Sequence, residues 1–283
     1  MTTVAEALAT ARHRLAASDS SALDAELLLG AVLGLPRARL IAEDRRTLDP
    51  GDLERFEALI ARRAAGEPVA YLTGRRGFWT LELEVTPAVL VPRPETELLV
   101  ELALARLPQG HCRVLDLGTG SGAVALAIAA ERPEAQVDAV DESAAAVALA
   151  RHNARRSSVG NVRFGIGHWF APVAGRRYHL VVANPPYLAA DDPHLPALAH
   201  EPHGALVAGL TGLEALEEIA EATPLHLLPG GWLIAEHGEA QGAAVRRLWQ
   251  QSGLAEVETA RDLAGLDRAT IGRLPGTPGP AAG

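Results

Sequence analysis

A short run of residues that could hold an amide group follows an apolar segment in the second half of the chain. The run is Asn184-Pro185-Pro186-Tyr187, and it comes directly after Tyr178 to Ala183, which has the composition of a buried strand. Neither proline has an N–H, and each restricts the residue before it, so the bend is stiff and rich in hydrogen-bond acceptors. Such a bend suits a substrate that carries an NH2 group.

The side chains of this run indicate how the group would be held. The side-chain oxygen of Asn184 and the carbonyl of Pro185 can accept its two hydrogens, and the ring of Tyr187 can stack on a planar amide or base. An amide nitrogen is a poor nucleophile because its lone pair is delocalised, so fixing both hydrogens would hold it against an electrophile. Asn-Pro and Pro-Pro pairs are also ordinary turn residues, and the run alone is equally consistent with a simple turn.

A second candidate site is the glycine-rich turn Gly118-Thr119-Gly120-Ser121-Gly122. A strand-like run precedes it and the strongly helical run Ala123 to Ala130 follows, which predicts a strand-turn-helix unit whose backbone a ligand can approach closely. The turn lacks the Gly-Lys-Ser/Thr ending of a phosphate loop, and its glycine spacing differs from the dinucleotide fingerprint. Asp116, beside the turn, is a candidate for orienting it.

The acid at the end of the next predicted strand completes a nucleoside-binding pattern. Residues 136–140 read as this strand, and Asp141 follows at its tip, where a carboxylate can accept hydrogen bonds from ribose hydroxyls. A glycine-rich turn alone is weak evidence, and a single aspartate is commonly a helix cap. Their combination favours a nucleoside site.

Strands and helices alternate from residue 112 onward, which predicts an α/β fold with a doubly wound, mostly parallel sheet. Because the carboxyl ends of parallel strands share one edge, we expect the glycine turn, Asp141 and the Asn184 bend to lie together there. The long segment 188–210 beside them is expected to be a lid or binding loop.

Residues 1–75 have the periodicity of a small helical bundle. The first predicted helix turns Val4, Leu8, Ala11 and Leu15 inward. A second follows Ser20 or Ser21, and we expect it to bury three leucines, Leu23, Leu27 and Leu28. A third opens at Asp49-Pro50, an N-cap followed by proline at the first helical position.

The rest of the chain divides into a linker and the α/β domain. We expect residues 76–91 to form a β-hairpin linker that pairs Trp79 to Val85 with Ala88 to Val91. Residues 92–283 would form the α/β domain, and their last ten, 274–283, are predicted to be a disordered tail because they are rich in Pro, Gly and Ala.

Composition disfavours several classes of protein. The 26 basic and 35 acidic residues give a net charge of -9, which disfavours a protein that tracks nucleic-acid phosphates. Cys112 is the single cysteine, and no Cys/His cluster has zinc-ligand spacing, so we expect a reducing compartment and no metal. Without a signal peptide or a long apolar stretch, a cytoplasmic protein with no membrane partner is expected.

Four blocks of sequence resemble one family. They are Glu67 to Tyr71 with Gly74, Pro92 to Glu97, Asp116 to Gly122, and Asn184 to Tyr187. The combination resembles the class I S-adenosylmethionine-dependent methyltransferases, and more narrowly the bacterial release factor glutamine methyltransferases. The likeness extends over nearly the whole chain.

The resemblance implies a Rossmann-like methyltransferase domain that uses S-adenosylmethionine and leaves S-adenosylhomocysteine. It implies that Gly118 to Gly122, Asp141 and Trp169 hold this cofactor and that Asn184 touches both cofactor and substrate. Pro185, Pro186 and Tyr187 would frame the substrate, the glutamine of the Gly-Gly-Gln motif in peptide chain release factors. No direct nucleic-acid partner is implied. The oligomeric state stays open, with a monomer expected.

One residue departs from the family pattern, and two other functions remain open at this point. His168 stands where the family usually has an acid, and a neutral histidine accepts a hydrogen bond from an adenine amino group less readily. The first alternative is methylation of an exocyclic amino group on a nucleic-acid base, of the adenine N6 type, which needs the same clamp together with a basic track. The second is a non-catalytic protein that binds the cofactor.

Overall fold

Two compact units make up residues 1–276, the part of the chain that the structure, a computed structural model, describes. The first unit is Met1–Arg75, and the second begins at Arg76. Most of the predicted disordered tail, residues 277–283, lies outside the described residues.

The first unit is a bundle of five helices with its own apolar core. Thr3 begins the first helix through a capping box with Glu6, and Asp49 caps the fourth, with Pro50 at its first position. Phe56 and Ile60 of the fourth helix are buried in this core. The helices are α1 (Val4–Arg14), α2 (Ser21–Leu33), α3 (Arg37–Ala42), α4 (Pro50–Ala64) and α5 (Val69–Thr73).

The predicted inward face of α2 is wrong for two of its three leucines. Leu28 is fully buried, but Leu23 and Leu27 are 41% and 42% exposed. The helix instead buries two carboxylates, Asp24 and Glu26, each 5% exposed. Both carboxylates are paired with arginines of the same unit, which allows them to be buried and rotates the helix away from the predicted face.

The predicted pairing of the hairpin is also wrong. The two-stranded sheet pairs β1 (Arg75–Phe78) with β2 (Leu81–Glu84), and residues 88–91 form no strand. Trp79 adopts a φ of 55°, which lets the chain reverse directly before β2. The backbone N–H of Val91 donates to the Glu201 carboxylate at 3.1 Å, so it is not available to a partner strand.

The second unit is built on a seven-stranded sheet. The sheet has the order β10-β11-β9-β6-β3-β4-β5; the run from β9 to β5 is parallel, and β11 is antiparallel to both of its neighbours. The strands are β3 (Arg113–Leu117), β4 (Gln136–Asp141), β5 (Val162–Ile166), β6 (Tyr178–Ala183), β9 (Leu227–Glu236), β10 (Ala255–Arg261) and β11 (Asp267–Arg273), with β7 (Leu188–Ala189) and β8 (Val207–Gly209) forming a separate parallel pair. The doubly wound, mostly parallel α/β fold is therefore confirmed.

Helices cover this sheet, and alternate strand residues face opposite layers. Leu180 and Val182 of β6 belong to one buried cluster, and Val181 and Ala183 to the other, as the period of two in a strand requires. Because both faces are buried, the central strands are mostly apolar on both faces rather than alternating, and Asp116 of β3 and Asp138 of β4 are buried polar exceptions. The helices are α6 (Glu97–Arg106), α7 (Ala123–Glu131), α8 (Ala144–Arg156), α9 (Glu214–His226) and α10 (Gly242–Gln251).

Candidate active site

A cavity of about 450 Å³ opens at the carboxyl ends of β3, β4 and β6. Eight of the eleven predicted site residues line it, and they come from the glycine turn, the tip of β4, the loop after β5 and the end of β6 with the bend that follows it. They are Gly118, Thr119, Gly120, Ser121, Asp141, Trp169, Asn184 and Pro186. The other three, Gly122, Pro185 and Tyr187, are not among the lining residues.

The glycine turn needs glycine for two different reasons. Gly118, Gly120 and Gly122 all have positive φ, at 71°, 55° and 88°, a region that side-chain-bearing residues rarely adopt. A Cβ on Gly122 would lie 3.1 Å from Leu126 and 3.2 Å from Ala150, so this glycine allows two helices to pack closely. A Cβ on Gly118 would instead lie 3.7 Å from both the Trp169 ring and the carbonyl oxygen of Asn184, at the border of the cavity.

Asp116 holds the glycine turn, as its position in the sequence suggests. Its Oδ2 accepts hydrogen bonds from the Thr119 hydroxyl at 2.7 Å and from the backbone N–H of Ala125 at 3.2 Å. Burial raises the pKa of Asp116 to about 7, and these two hydrogen bonds only partly oppose that effect. The carboxyl group is therefore mostly protonated below about pH 7 and mostly charged above it.

Asp116→Asn is expected to raise the melting temperature of the protein. The increase should be several degrees larger at pH 8 than at pH 5. The pKa of Asp116 rises on folding from 3.8 to about 7, so the native state binds more protons than the unfolded chain between these values, and wild-type stability falls as the pH rises through this window. Asparagine keeps an acceptor oxygen without the charge. Thermal unfolding across this range measures the difference, with exposed Asp44→Asn as the control. An equal shift at both pH values would contradict the buried charge.

Asp141 links the tip of β4 to the glycine turn. Its Oδ2 accepts from the backbone N–H of Gly120 at 2.9 Å, and its Oδ1 accepts from that of Ser143 at the same distance. Burial raises the pKa of this carboxyl group, and the two backbone hydrogen bonds oppose that shift. Each carboxylate oxygen can accept a further hydrogen bond, so Asp141 can still receive hydroxyls from the cavity.

Another carboxylate, which was not among the predicted site residues, lies beside Trp169. Glu218 of α9 accepts from the Trp169 indole N–H at 3.1 Å and contacts His168 Nε2 at 2.8 Å. The pKa of His168 is raised, mainly by this hydrogen bond and further by Glu142. An acid therefore lies next to the position where the family pattern has one. The spacing of Glu214 and Glu218, one helical turn apart, is the signal that could have found it.

Three elements meet behind Asn184. The Asn184 Nδ2 donates to the Thr96 hydroxyl at 3.2 Å, and that hydroxyl donates to Glu236 Oε2 at 2.7 Å. The Tyr187 hydroxyl donates to the other oxygen of Glu236 at 3.2 Å. Burial raises the pKa of Glu236, opposed by the Thr96 hydrogen bond, the charge of Arg268 and the Tyr187 hydrogen bond. Burial also raises the pKa of Tyr187 above its usual range.

The segment Pro92 to Glu97 both begins a helix and forms a wall of the site. Pro94–Thr96 is a single 3-10 turn that leads into α6, and Pro92, Arg93 and Thr96 line the cavity. Glu201, 8% exposed, pairs with the Arg93 guanidinium and accepts from the Val91 N–H. This carboxylate ties the segment to the long loop that follows β7, and the sequence did not reveal it.

The cavity is rich in carboxylates. Five acidic side chains line it, and the arginine that lines it, Arg93, is paired with Glu201. Glu214 Oε2 is buried without a hydrogen-bond partner among the described residues. A ligand that carries positive charge or several N–H and O–H donors fits such a lining. The five acids are Asp116, Asp141, Glu142, Glu214 and Glu218.

Within residues 1–276, no group of three or more His, Cys, Asp or Glu side chains is arranged to hold a metal ion. Within the same range, no helix combines the length and the apolar composition that crossing a bilayer requires.

The fold and site define a class I methyltransferase with an added N-terminal helical unit. Residues 94–201 match the family model of the Methyltransferase small domain, and residues 6–74 match that of the PrmC N-terminal domain. A crystal structure of a methyltransferase from Pyrococcus furiosus has a TM-score of 0.54 at 20% identity, covering 77% of this chain and 98% of that one. This likeness supports the fold.

Curated relatives identify the particular family. A release factor glutamine methyltransferase of Xylella fastidiosa is 52% identical over 257 residues, which are 90% of this chain and 94% of the relative. One of Burkholderia pseudomallei is 49% identical, covering 98% of this chain and the whole relative. The chain belongs to the release factor glutamine methyltransferase family and is a methyltransferase, which confirms the resemblance seen in its motifs.

Proposed function

We propose that this protein transfers a methyl group from S-adenosylmethionine to the side-chain amide nitrogen of the glutamine in the Gly-Gly-Gln motif of peptide chain release factors. The observation that carries the proposal is the placement of Asn184. Its Nδ2 is engaged by Thr96, which leaves Oδ1 for a ligand, and its backbone carbonyl borders the glycine turn. An acceptor for an amide N–H therefore adjoins the region suited to a nucleoside.

The lining residues fit S-adenosylmethionine. The positive-φ glycine turn lets the ligand approach the backbone, Asp141 would accept from the ribose hydroxyls, and Trp169 would cover the adenine. The unpartnered Oε2 of Glu214 offers an acceptor to a donor on the ligand, and the carboxylates that line the cavity suit a cation. When bound, this cofactor supplies an already activated methyl group.

The protein's main task in this reaction is alignment. Asn184 Oδ1 would accept one amide hydrogen of the substrate. The carbonyl of Pro185, which is not part of the cavity lining but joins Asn184 to Pro186, would accept the other and fix the rotation of the carboxamide. Holding the nitrogen at a near-attack distance of about 3 to 3.5 Å can supply several kcal/mol of barrier reduction. Both hydrogen bonds favour the more electron-rich nitrogen in the transition state. No strong general base is needed, because the methylated amide becomes acidic and releases its proton late.

Asp141→Ala is expected to weaken the binding of S-adenosylhomocysteine about tenfold, the effect of losing roughly one hydrogen bond to a charged group. The substitution removes the acceptor for ribose hydroxyls and also the hydrogen bond to the Gly120 N–H. Calorimetric titration measures the affinity, with the exposed Asp191→Ala as the control. An unchanged affinity in Asp141→Ala would show that Asp141 does not bind the cofactor.

Incubation with labelled S-adenosylmethionine tests the proposed function directly. We expect label in a purified release factor and none in DNA or RNA, in keeping with the net charge of -9. Label in nucleic acid alone would instead support base methylation, and label in neither would support a binding protein without catalysis. Because release factors act in translation, we expect the activity in the cytoplasm.

A further inference from the structure

The orientation of the Asn184 carboxamide is the feature on which amide recognition depends. An asparagine side chain ends in an acceptor oxygen and a donor NH2 group of nearly the same size. If the group turned over, it would present N–H donors to the substrate's NH2 group and repel it. Some neighbour must therefore favour one of the two orientations.

Thr96 can distinguish these orientations because its hydroxyl carries a single proton. The hydroxyl donates that proton to Glu236 Oε2 at 2.7 Å, so toward Asn184 it offers only a lone pair. The group on Asn184 that faces Thr96 must then be the donor, and Nδ2 lies 3.2 Å away. The acceptor oxygen is left for the ligand.

Glu236 decides the direction of this chain of hydrogen bonds. The oxygen of Glu236 that faces Thr96 accepts the hydroxyl proton, and Glu236, 2% exposed, has no bulk water to take the place of Thr96. Its other oxygen accepts from Tyr187 at the far end of the Asn184-Pro185-Pro186-Tyr187 bend. One buried carboxylate at the end of β9 therefore contacts Tyr187 directly and reaches Asn184 through the Thr96 hydroxyl.

We propose that Glu236, acting through the Thr96 hydroxyl, is a positioning residue that keeps the acceptor oxygen of Asn184 directed at the substrate amide. Neither residue needs to touch the substrate or the cofactor for this role. The proposal rests on the proposed function and adds to it the device that selects an NH2-bearing substrate. It predicts a defect in turnover rather than in cofactor affinity.

Thr96→Val tests the proposal because valine has the shape of threonine without the hydroxyl. We expect kcat for release factor methylation to fall about tenfold to 100-fold, as for one hydrogen bond to a charged group, with the affinity for S-adenosylhomocysteine unchanged within about twofold. Thr96→Ser, which keeps the hydroxyl, should retain most of the activity. Thr223→Val is the matched control, since Thr223 is a fully buried threonine that donates only to its own helix at Ile219.

Glu236→Met tests the carboxylate itself and provides a second variant if Thr96→Val does not fold. Methionine has a similar length and needs no hydrogen-bond partner, so the substitution removes both acceptor oxygens while filling the same space. With no acceptor at position 236, the Thr96 hydroxyl is free to donate to Asn184, and we expect the same loss of kcat as in Thr96→Val.

A double-mutant cycle separates positioning from a general structural effect. In an Asn184→Ala background, Thr96→Val should change kcat by less than about twofold, because the carboxamide that it orients is gone. An equal loss of kcat in both backgrounds would overturn the proposal. A wild-type kcat in Thr96→Val or Glu236→Met would also overturn it. So would a Thr96→Ser variant whose kcat is as low as that of Thr96→Val. Wild-type protein that fails to methylate a release factor would contradict the proposed function instead.

Discussion

Asn184→Ala is expected to lower kcat for release factor methylation about 100-fold to 1,000-fold, the usual effect of removing one preorganised polar group from an active site. The side chain supplies the acceptor that holds the substrate amide, while the cofactor is expected to contact mainly the glycine turn, Asp141 and Trp169. The affinity for S-adenosylhomocysteine should therefore stay within about threefold of wild type. Single-turnover kinetics and calorimetry measure the two effects separately.

The control for this substitution is Gln250→Ala, which shortens an exposed amide side chain on α10. It should leave both kcat and affinity unchanged. If Asn184→Ala methylated a release factor at the wild-type rate, the proposed amide clamp would be wrong. If it instead lost cofactor affinity in proportion to activity, Asn184 would serve the cofactor and not the substrate.

Gly118→Val is expected to weaken S-adenosylhomocysteine binding by at least about 100-fold. Several contacts of about 1 kcal/mol each would be lost, and their effects on the dissociation constant multiply. A Cβ on Gly118 would sit 3.7 Å from the Trp169 ring and from the Asn184 carbonyl, between the surfaces proposed to bind the cofactor. The two methyl groups of valine would extend further from that position. Calorimetry on the folded variant measures the loss.

Gly110→Val controls for backbone strain. Gly110 has a φ of 75°, close to the 71° of Gly118, but it is exposed and does not line the cavity. Both variants should lose about 1 to 2 kcal/mol of stability from the left-handed conformation. Only Gly118→Val should lose affinity. Equal affinity in the two variants would show that the cofactor does not occupy the space beside Gly118.

The sequence predicts the sheet well because its strands have two buried faces. An apolar run such as Tyr178 to Ala183 that ends at a proline bend can hardly be anything but a central strand. The predictions of the hairpin pairing and of the buried face of α2 were wrong because the local sequence does not show what decides them. The leucine pattern of α2 does not indicate that Asp24 and Glu26 are buried in ion pairs with arginines distant in sequence. The sequence around Trp79 does not indicate its positive φ.

The site was predictable where function depends on local sequence. Gly118 to Gly122, Asp141 and Asn184 lie at the carboxyl ends of strands that share one edge of the sheet, so their meeting follows from the topology. Glu201, Glu218 and Glu236 were missed because their partners lie far away along the chain. Glu236 meets Thr96 across 140 residues, and a lone glutamate at the end of a strand carries no local signal of such a contact.

Tandem mass spectrometry of a release factor, after incubation with this protein and S-adenosylmethionine, tests the central claim most directly. The Asn184 bend and the carboxylate-lined cavity predict one added methyl group on the side-chain amide nitrogen of the Gly-Gly-Gln glutamine, and none when that glutamine is replaced by glutamate. A methyl group on another residue of the factor, or one that persists in the glutamate variant, would contradict the proposed recognition of an amide.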